Sequence, residues 1–116
     1  MSKERIVKAL EQLGLSNTDT QIYVFLAKNG PHSEREICEI LELQKRQVYP
    51  SLKSLQGIKI VKAIGKHPVQ FSVVPFEEVI NLFIEVKKEQ AKIIQESREE
   101  LLSSWRETIK KENTKS

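Results

Sequence analysis

The sequence has a single cysteine, Cys38, and no run of apolar residues approaching the roughly 20 that a membrane-spanning helix needs. One cysteine excludes a disulfide within the chain, so nothing indicates the oxidising environment of secreted proteins. The first residues, MSKERIVKALEQL, lack the long apolar segment of a signal peptide. We therefore expect a soluble, cytoplasmic protein.

Residues that build catalytic or metal sites are also scarce. Besides Cys38, the chain has only two histidines, His32 and His67, and the three are scattered along the sequence. They are too few for a convincing metal or nucleophilic site. No glycine-rich phosphate-binding loop occurs either, because the LGL and NGP segments are typical helix ends. We expect no enzymatic activity, no cofactor and no bound metal, and we interpret Cys38 as a packed thiol.

Acidic residues are absent between Leu43 and Phe76, although the whole chain is only mildly basic, with 19 Lys and Arg against 16 Asp and Glu. Such local asymmetry favours a polyanionic partner more than the total charge does. At 116 residues, the chain should form one domain with an appended element. The acid-free segment contains six cationic residues: Lys45, Arg46, Lys53, Lys59, Lys62 and Lys66.

The segment QKRQVYPSLKSLQ, from Gln44 to Gln56, predicts a short amphipathic helix. Val48, Leu52 and Leu55 recur at spacings of four and three, which is typical of a buried stripe. Pro50 has no amide proton, so the helix should either start near Arg46 or Gln47 or be kinked. An ordinary solvated helix face is one interpretation of the remaining side chains. The other is contact with double-stranded DNA through Gln44, Lys45, Arg46, Gln47, Tyr49, Pro50, Lys53 and Ser54.

Three helices are predicted before this segment. The first covers Lys3–Leu13 and ends at Gly14, and the second starts with a Ser16–Asp19 capping box and ends near Asn29. A second capping box, Ser33 with Glu36, begins a third helix. Two short helices joined by a tight turn, the second one basic, form a helix-turn-helix. The third helix is expected to bury Ile37, Ile40 and Leu41.

A β-hairpin is predicted after Gly57. The runs Ile58–Ile64 and Val69–Val73 alternate in part, and Gly65-Lys66-His67-Pro68 between them has turn composition. Such a hairpin with a basic tip is a wing. Lys62, Lys66 and His67 could reach the DNA backbone or the minor groove, although tip residues are also polar simply because tips are solvated.

The last segment is predicted to be one long helix, because no glycine or proline occurs from Phe76 to about Lys111. Such a helix would be on the order of 50 Å long, too long to fold back fully on a small core. We expect it to pair with a second copy in a coiled coil. The predicted domains are 1–75 for DNA binding and 76–116 for dimerisation. The predicted interface consists of Val79, Phe83, Val86, Gln90, Ile94, Leu101 and Trp105.

Several short motifs occur in a fixed order: Leu13-Gly14-Leu15, Gly30-Pro31, Val48-Tyr49, and the strand from Phe71 to Pro75 followed by Glu77-Glu78. From roughly Leu10 to Val79, this ordered set resembles the winged helix-turn-helix domain of the TrmB-like transcriptional regulators, which are mostly archaeal. Two details differ. Val48-Tyr49-Pro50 is more similar to PadR-type regulators, and Lys59 stands where the family usually has a glycine before the first wing strand.

The resemblance implies a mainly α fold with a small β-hairpin: a winged helix-turn-helix domain plus a long C-terminal dimerisation helix. It also implies a homodimeric, sequence-specific DNA-binding regulator, and it leaves any small-molecule effector unspecified. A winged-helix module that binds other proteins is the alternative, because fold does not fix function. Duplex binding that weakens steeply with salt would distinguish the two.

Overall fold

A computed structural model of the protein describes residues 2–114, with side chains described for residues 3–110. It is mainly helical with one small sheet, as predicted. The elements in chain order are α1 (Ser2–Gln12), α2 (Asn17–Asn29), β1 (His32–Ser33), α3 (Glu34–Leu41), α4 (Lys45–Gly57), β2 (Val61–Ile64), β3 (Gln70–Val73), α5 (Phe76–Glu96) and α6 (Arg98–Thr114). The chain divides into two compact units, Met1–Val79 and Ile80–Ser116.

Both predicted capping boxes are confirmed. At the start of α2, the Ser16 hydroxyl accepts the Asp19 amide at 3.0 Å, and the Asp19 carboxylate accepts the Ser16 amide at 3.1 Å. At the start of α3, the corresponding distances for Ser33 and Glu36 are 3.2 and 2.9 Å. The Ser33 amide therefore lowers the pKa of the Glu36 carboxyl. These short-range bonds fix where the two helices begin.

The sheet has three antiparallel strands in the order β1-β3-β2. The predicted hairpin is present, with Val61 opposite Val73 and Ile64 opposite Gln70. Its first strand is shorter than predicted because Lys59 has a left-handed backbone, with a φ of +67°. That conformation is incompatible with a strand, so Ile58–Ile60 form the exit from α4. The short β1, which pairs His32 with Phe71, was not predicted.

The hydrophobic core of the first unit is drawn from its helices and from the hairpin. Tyr23 is buried within it and donates its hydroxyl to the Val74 carbonyl at 2.9 Å, which ties the end of the hairpin to α2. Burial raises the pKa of this phenol. The buried apolar side chains are Leu10, Leu15, Ile22, Tyr23, Leu26, Ile37, Val48, Leu52, Leu55, Ile60, Val61, Val74 and Val79.

One predicted core residue of α3 is wrong. Ile37 is fully buried, but Ile40 is 54 % exposed. Glu34, Cys38 and Leu41 are half-buried, and around the helix all three lie on the same side of Ile37. The inward face of α3 is therefore centred on that side. At 100° per residue, Ile40 falls on the opposite side of Ile37, outside that face.

The second unit contains most of α5 and all of α6. The predicted single helix is interrupted at Ser97, which lies between the end of α5 and the start of α6. The interruption is local, because the Ser97 amide still donates to the Ile93 carbonyl at 3.0 Å, and the Leu101 amide donates to the Ser97 carbonyl at 2.8 Å. Ile93, Ser97 and Leu101 are each four residues apart, which breaks the alternation of spacings of four and three at this point. Among the residues described, none of the helices is long and apolar enough to span a membrane.

Candidate nucleic-acid interface

A tight turn connects α3 to α4. Glu42 adopts a left-handed conformation with a φ of +55°, and the Leu43 amide donates to the Cys38 carbonyl at 3.0 Å. Gln44 then returns to an extended backbone, with a φ of −86° and a ψ of 153°, and caps α4. The two helices and this turn form the helix-turn-helix that the sequence predicts.

Helix α4 divides into an inward and an outward face. Val48, Leu52 and Leu55 are at most 2 % exposed, so the predicted apolar stripe is confirmed. Ser51 is also buried, which the sequence did not reveal. The residues predicted to contact DNA are all exposed: Gln44, Lys45, Arg46, Gln47, Tyr49, Pro50, Lys53 and Ser54. The outward face thus offers cations, amides, a hydroxyl and an aromatic ring, and no anion.

The Gln47 side chain has a structural role at the start of α4. Its carbonyl oxygen Oε1 accepts the Gln44 backbone amide at 3.0 Å. This bond satisfies one of the amides that a helix start leaves free. It also orients the carboxamide, so that the two N–H donors of Gln47 remain for another acceptor.

Tyr49 and Lys53 lie one helical turn apart on the outward face. The Lys53 ammonium lies 5.5 Å from the centre of the Tyr49 ring, within the range of a cation–π contact. Because Lys53 is drawn over the ring, the two side chains present one combined cationic and aromatic surface. Tyr49 is half-exposed and offers its ring edge and hydroxyl to a ligand.

Pro50 is accommodated inside α4, which begins at Lys45, slightly before the predicted start. Proline at this position has no amide to donate to the Arg46 carbonyl four residues earlier. The cost is therefore one helix hydrogen bond near the N-terminal end. The buried stripe continues on both sides of Pro50, with Val48 before it and Leu52 after it.

The wing carries the second group of predicted DNA contacts. Lys62 lies on β2, and Lys66 and His67 lie in the loop that connects β2 to β3. All three side chains are exposed. Gly65 opens this loop with a φ of +76°, a conformation that favours glycine. No acidic residue occurs between α4 and the end of the hairpin, so the wing and the outward face of α4 have the same sign of charge.

Cys38 lies near the start of α4 without being activated. It lines a cleft of about 600 Å³ with Glu34, Arg35, Glu39 and Lys45. Burial, reinforced by the negative charge of Glu34, raises the pKa of the Cys38 thiol. A thiol of this kind is protonated and unreactive at neutral pH. Within the part of the chain that the structure describes, no cluster of three or more potential metal ligands occurs.

The fold and the motifs agree with a comparison against known protein families. The sequence pattern of the family described as sugar-specific transcriptional regulator TrmB matches residues 10–77, more than half of the chain. The chain belongs to the TrmB family. The match includes the helix-turn-helix and the whole wing, so the family that the sequence motifs predicted is confirmed. None of the curated proteins matches the sequence.

Solved structures with the same fold include TrmBL2, an archaeal chromatin protein, with a TM-score of 0.78 and 23 % identity over 90 % of this chain. The chain spans only 40 % of the length of TrmBL2. A protein of the thermoacidophilic archaeon Sulfolobus tokodaii has a TM-score of 0.61 at 18 % identity, covering 75 % of this chain and 96 % of that one. A transcriptional regulator of Thermotoga maritima has a TM-score of 0.55 at 19 % identity, covering 94 % and 84 %. These similarities establish the winged-helix fold.

The residues predicted for dimerisation differ in exposure. Val79 is 0 % exposed in the core of the first unit, so it is not available to a partner and its assignment to the interface is wrong. Phe83 is half-buried. Two further exposed apolar residues, Ile84 and Ile93, were absent from the predicted interface. The remaining predicted residues are exposed: Val86, Gln90, Ile94, Leu101 and Trp105.

Proposed function

We propose that this member of the TrmB family regulates transcription as a homodimer that binds double-stranded DNA in a sequence-specific manner. Helix α4 enters the major groove, and the wing contacts the backbone or the minor groove. The observation that carries the proposal is the outward face of α4, where every predicted contact residue is exposed and the surrounding segment has no acid. Such a face meets phosphates without repulsion and offers donors to base edges.

Each side chain of α4 has a separate role in this proposal. Arg46, near the N-terminal end of the helix, has the planar fork that contacts the O6 and N7 atoms of guanine. Gln47, oriented by its bond to the Gln44 amide, presents N–H donors to an acceptor on the next base. Lys53, held over the ring of Tyr49, supplies charge to a phosphate.

The direct test is binding to labelled duplexes at several salt concentrations. We expect a selected duplex to bind more tightly than a random one of the same length, with an affinity that falls steeply as salt rises. Equal affinity for both duplexes would exclude sequence-specific recognition. Absence of any salt-dependent duplex binding would favour the alternative, a module that binds other proteins.

The second half of the proposal concerns the tail, which we define as residues 80–110. Trp105, Leu101 and Ile94 are each more than half exposed. Exposed apolar rows of this length are unusual for a monomer in water and typical of an interface. A second copy of the same tail is the partner that the proposal commits to, because its stripe has the same length and spacing. A dimer that binds two adjacent major grooves needs its two copies of α4 about 34 Å apart.

The oligomeric state can be measured by sedimentation of the full chain at micromolar concentration. We expect a dimer, and we expect Ile94→Lys with Leu101→Lys to give a monomer because four cations would then meet at the seam. The control is Lys92→Ala with Glu96→Ala, which changes the same stretch of the tail without placing charge on the apolar row. A wild-type monomer, or a dimer that survives the two lysines, would contradict the proposed interface.

A further inference from the structure

A groove of about 450 Å³ lies on the first unit between α1, α2 and α3, and none of the described residues that line it belongs to α4. Its apolar wall is formed by Val7 of α1, Val24 and Phe25 of α2, and Leu41 of α3. All four side chains are half-buried. The size and the apolar wall fit a small organic ligand, since such sites range from about 300 to 1,000 Å³.

The polar side chains of the groove have one sign of charge. Lys3 of α1 and Lys28 of α2 both line it, together with the carboxamides of Asn17 and Gln21. Among the described side chains that form its walls, none is acidic. A ligand that balances these charges carries an anionic group beside an apolar body.

A buried hydroxyl gives a second, independent observation. Thr20 belongs to the groove wall and is 3 % exposed, and its Oγ1 has no hydrogen-bond partner among the described residues. An unpaired buried hydroxyl is costly, and such groups in folded proteins usually have a partner. A ligand oxygen that reached this hydroxyl would supply the partner that it lacks among the described residues.

We propose that this groove binds a small amphipathic carboxylate, with the aromatic or aliphatic body against Val24, Phe25 and Leu41 and the carboxylate beside Lys28, Lys3 and Thr20. The apolar wall supplies burial, and the cations and the hydroxyl select an acid over a neutral compound of the same shape. Binding at this site does not depend on DNA.

The position of Leu41 gives the ligand a route to α4, and this step rests on the proposed DNA-binding function. Leu41 is the last residue of α3, and the left-handed Glu42 follows it directly before α4 begins at Lys45. A ligand packed against Leu41 favours one position of the end of α3 and therefore of the turn. Any change in DNA affinity that the ligand causes must be matched by an equal effect of DNA on ligand affinity.

The binding step can be tested on the full chain, without DNA, by amide chemical shifts during titration with 2-naphthoate. We expect saturable shifts at residues of α1, α2 and α3, and at least about tenfold weaker binding of the neutral 2-naphthalenemethanol. Lys28→Gln should weaken naphthoate about fivefold and leave the alcohol within about twofold. Thr20→Val, which keeps the side-chain shape, should also weaken naphthoate and raise the thermal stability of the free protein.

The control variant is Lys92→Gln, which removes the same charge from the exposed surface of the tail and should leave naphthoate binding unchanged. No saturable shifts up to about 5 mM, shifts centred on the tail, or equal binding of acid and alcohol would overturn the site. The coupling is tested by duplex binding with and without saturating naphthoate. An unchanged duplex affinity would overturn the link between the groove and α4. Absence of any duplex binding would overturn the proposed function, but the proposed ligand site in the groove would stand.

Discussion

Replacing Gln47 by Glu should stabilise the fold and weaken DNA binding at the same time. The carboxylate keeps the acceptor that Gln47 offers to the Gln44 amide at 3.0 Å. It also places a negative charge at the start of α4, where the helix dipole favours one by about 0.3–1 kcal/mol. We therefore expect the melting temperature to rise by about 3 °C, as about 0.5 kcal/mol does in a domain of this size.

The effect of the same substitution on DNA has the opposite sign. Gln47→Glu introduces the first acid into a segment that has none from Gln44 to Pro75. The glutamate side chain has neither of the two N–H donors of Gln47, and the DNA phosphates repel its negative charge. A lost base contact costs about 1–3 kcal/mol, so affinity for a selected duplex should fall roughly 5- to 150-fold.

Three variants separate the cap from the DNA contact. Gln47→Ala removes both, so it should lower stability by about 0.5–1 kcal/mol and also weaken binding. Gln95→Glu changes the net charge equally on the exposed surface of α5 and should leave duplex affinity within about twofold. Thermal unfolding and fluorescence anisotropy with a labelled duplex measure the two quantities. If Gln47→Glu binds DNA as tightly as the wild type, the N-terminal end of α4 does not approach the duplex and the assignment fails.

Arg46→Ala should weaken binding to a selected duplex more than to a random one, because the guanidinium fork reads bases; an equal loss in anisotropy titrations would reduce Arg46 to a phosphate contact. Lys62→Ala with Lys66→Ala should make the slope of log affinity against log salt shallower by about 1.8, at about 0.9 per phosphate contact, and an unchanged slope would separate the wing from DNA. Lys59→Gly should raise stability to unfolding by about 1 kcal/mol because φ is +67° there, whereas Lys59→Gln, which removes the charge and keeps the conformational penalty, should not. The lowered pKa of Glu36 contributes stability that is present above the ordinary value of 4.5 and lost as pH falls through the folded-state pKa. Glu36→Gln should therefore flatten the loss of stability below about pH 5. An unchanged dependence of stability on acid pH in denaturant titrations would contradict this.

The features that the sequence predicted correctly depend on neighbours close in the chain. A capping box needs two side chains three residues apart, and the buried stripe of α4 needs spacings of three and four. Both could therefore be predicted from the amino-acid sequence. The position of Lys59 belongs to the same class. The glycine expected there for the family marked a turn, and the structure gives Lys59 the left-handed backbone that glycine adopts most easily.

The features that were missed depend on contacts far apart in the chain. Strand β1 has two residues, and it exists because His32 and Ser33 pair with the last hairpin strand almost forty residues later. Ile40 is as apolar as the residues of the core, and only the packing of α3 leaves it exposed. The Tyr23 bond to Val74 is likewise long-range, and no local pattern indicates it.

Val79 shows why the dimer cannot be tested by simple removal of α5 and α6 together. The first turn of α5 is anchored to Pro75, whose carbonyl accepts the Glu78 amide at 2.9 Å and the Val79 amide at 3.1 Å. This anchoring places the Val79 side chain, fully buried, in the core of the first unit. A chain that ended near Phe76 would lose about 1.5–3 kcal/mol from that one side chain. Weaker DNA binding by such a chain would therefore report a damaged core as readily as a lost dimer, whereas Ile94→Lys with Leu101→Lys leaves the core intact and changes only the exposed apolar row.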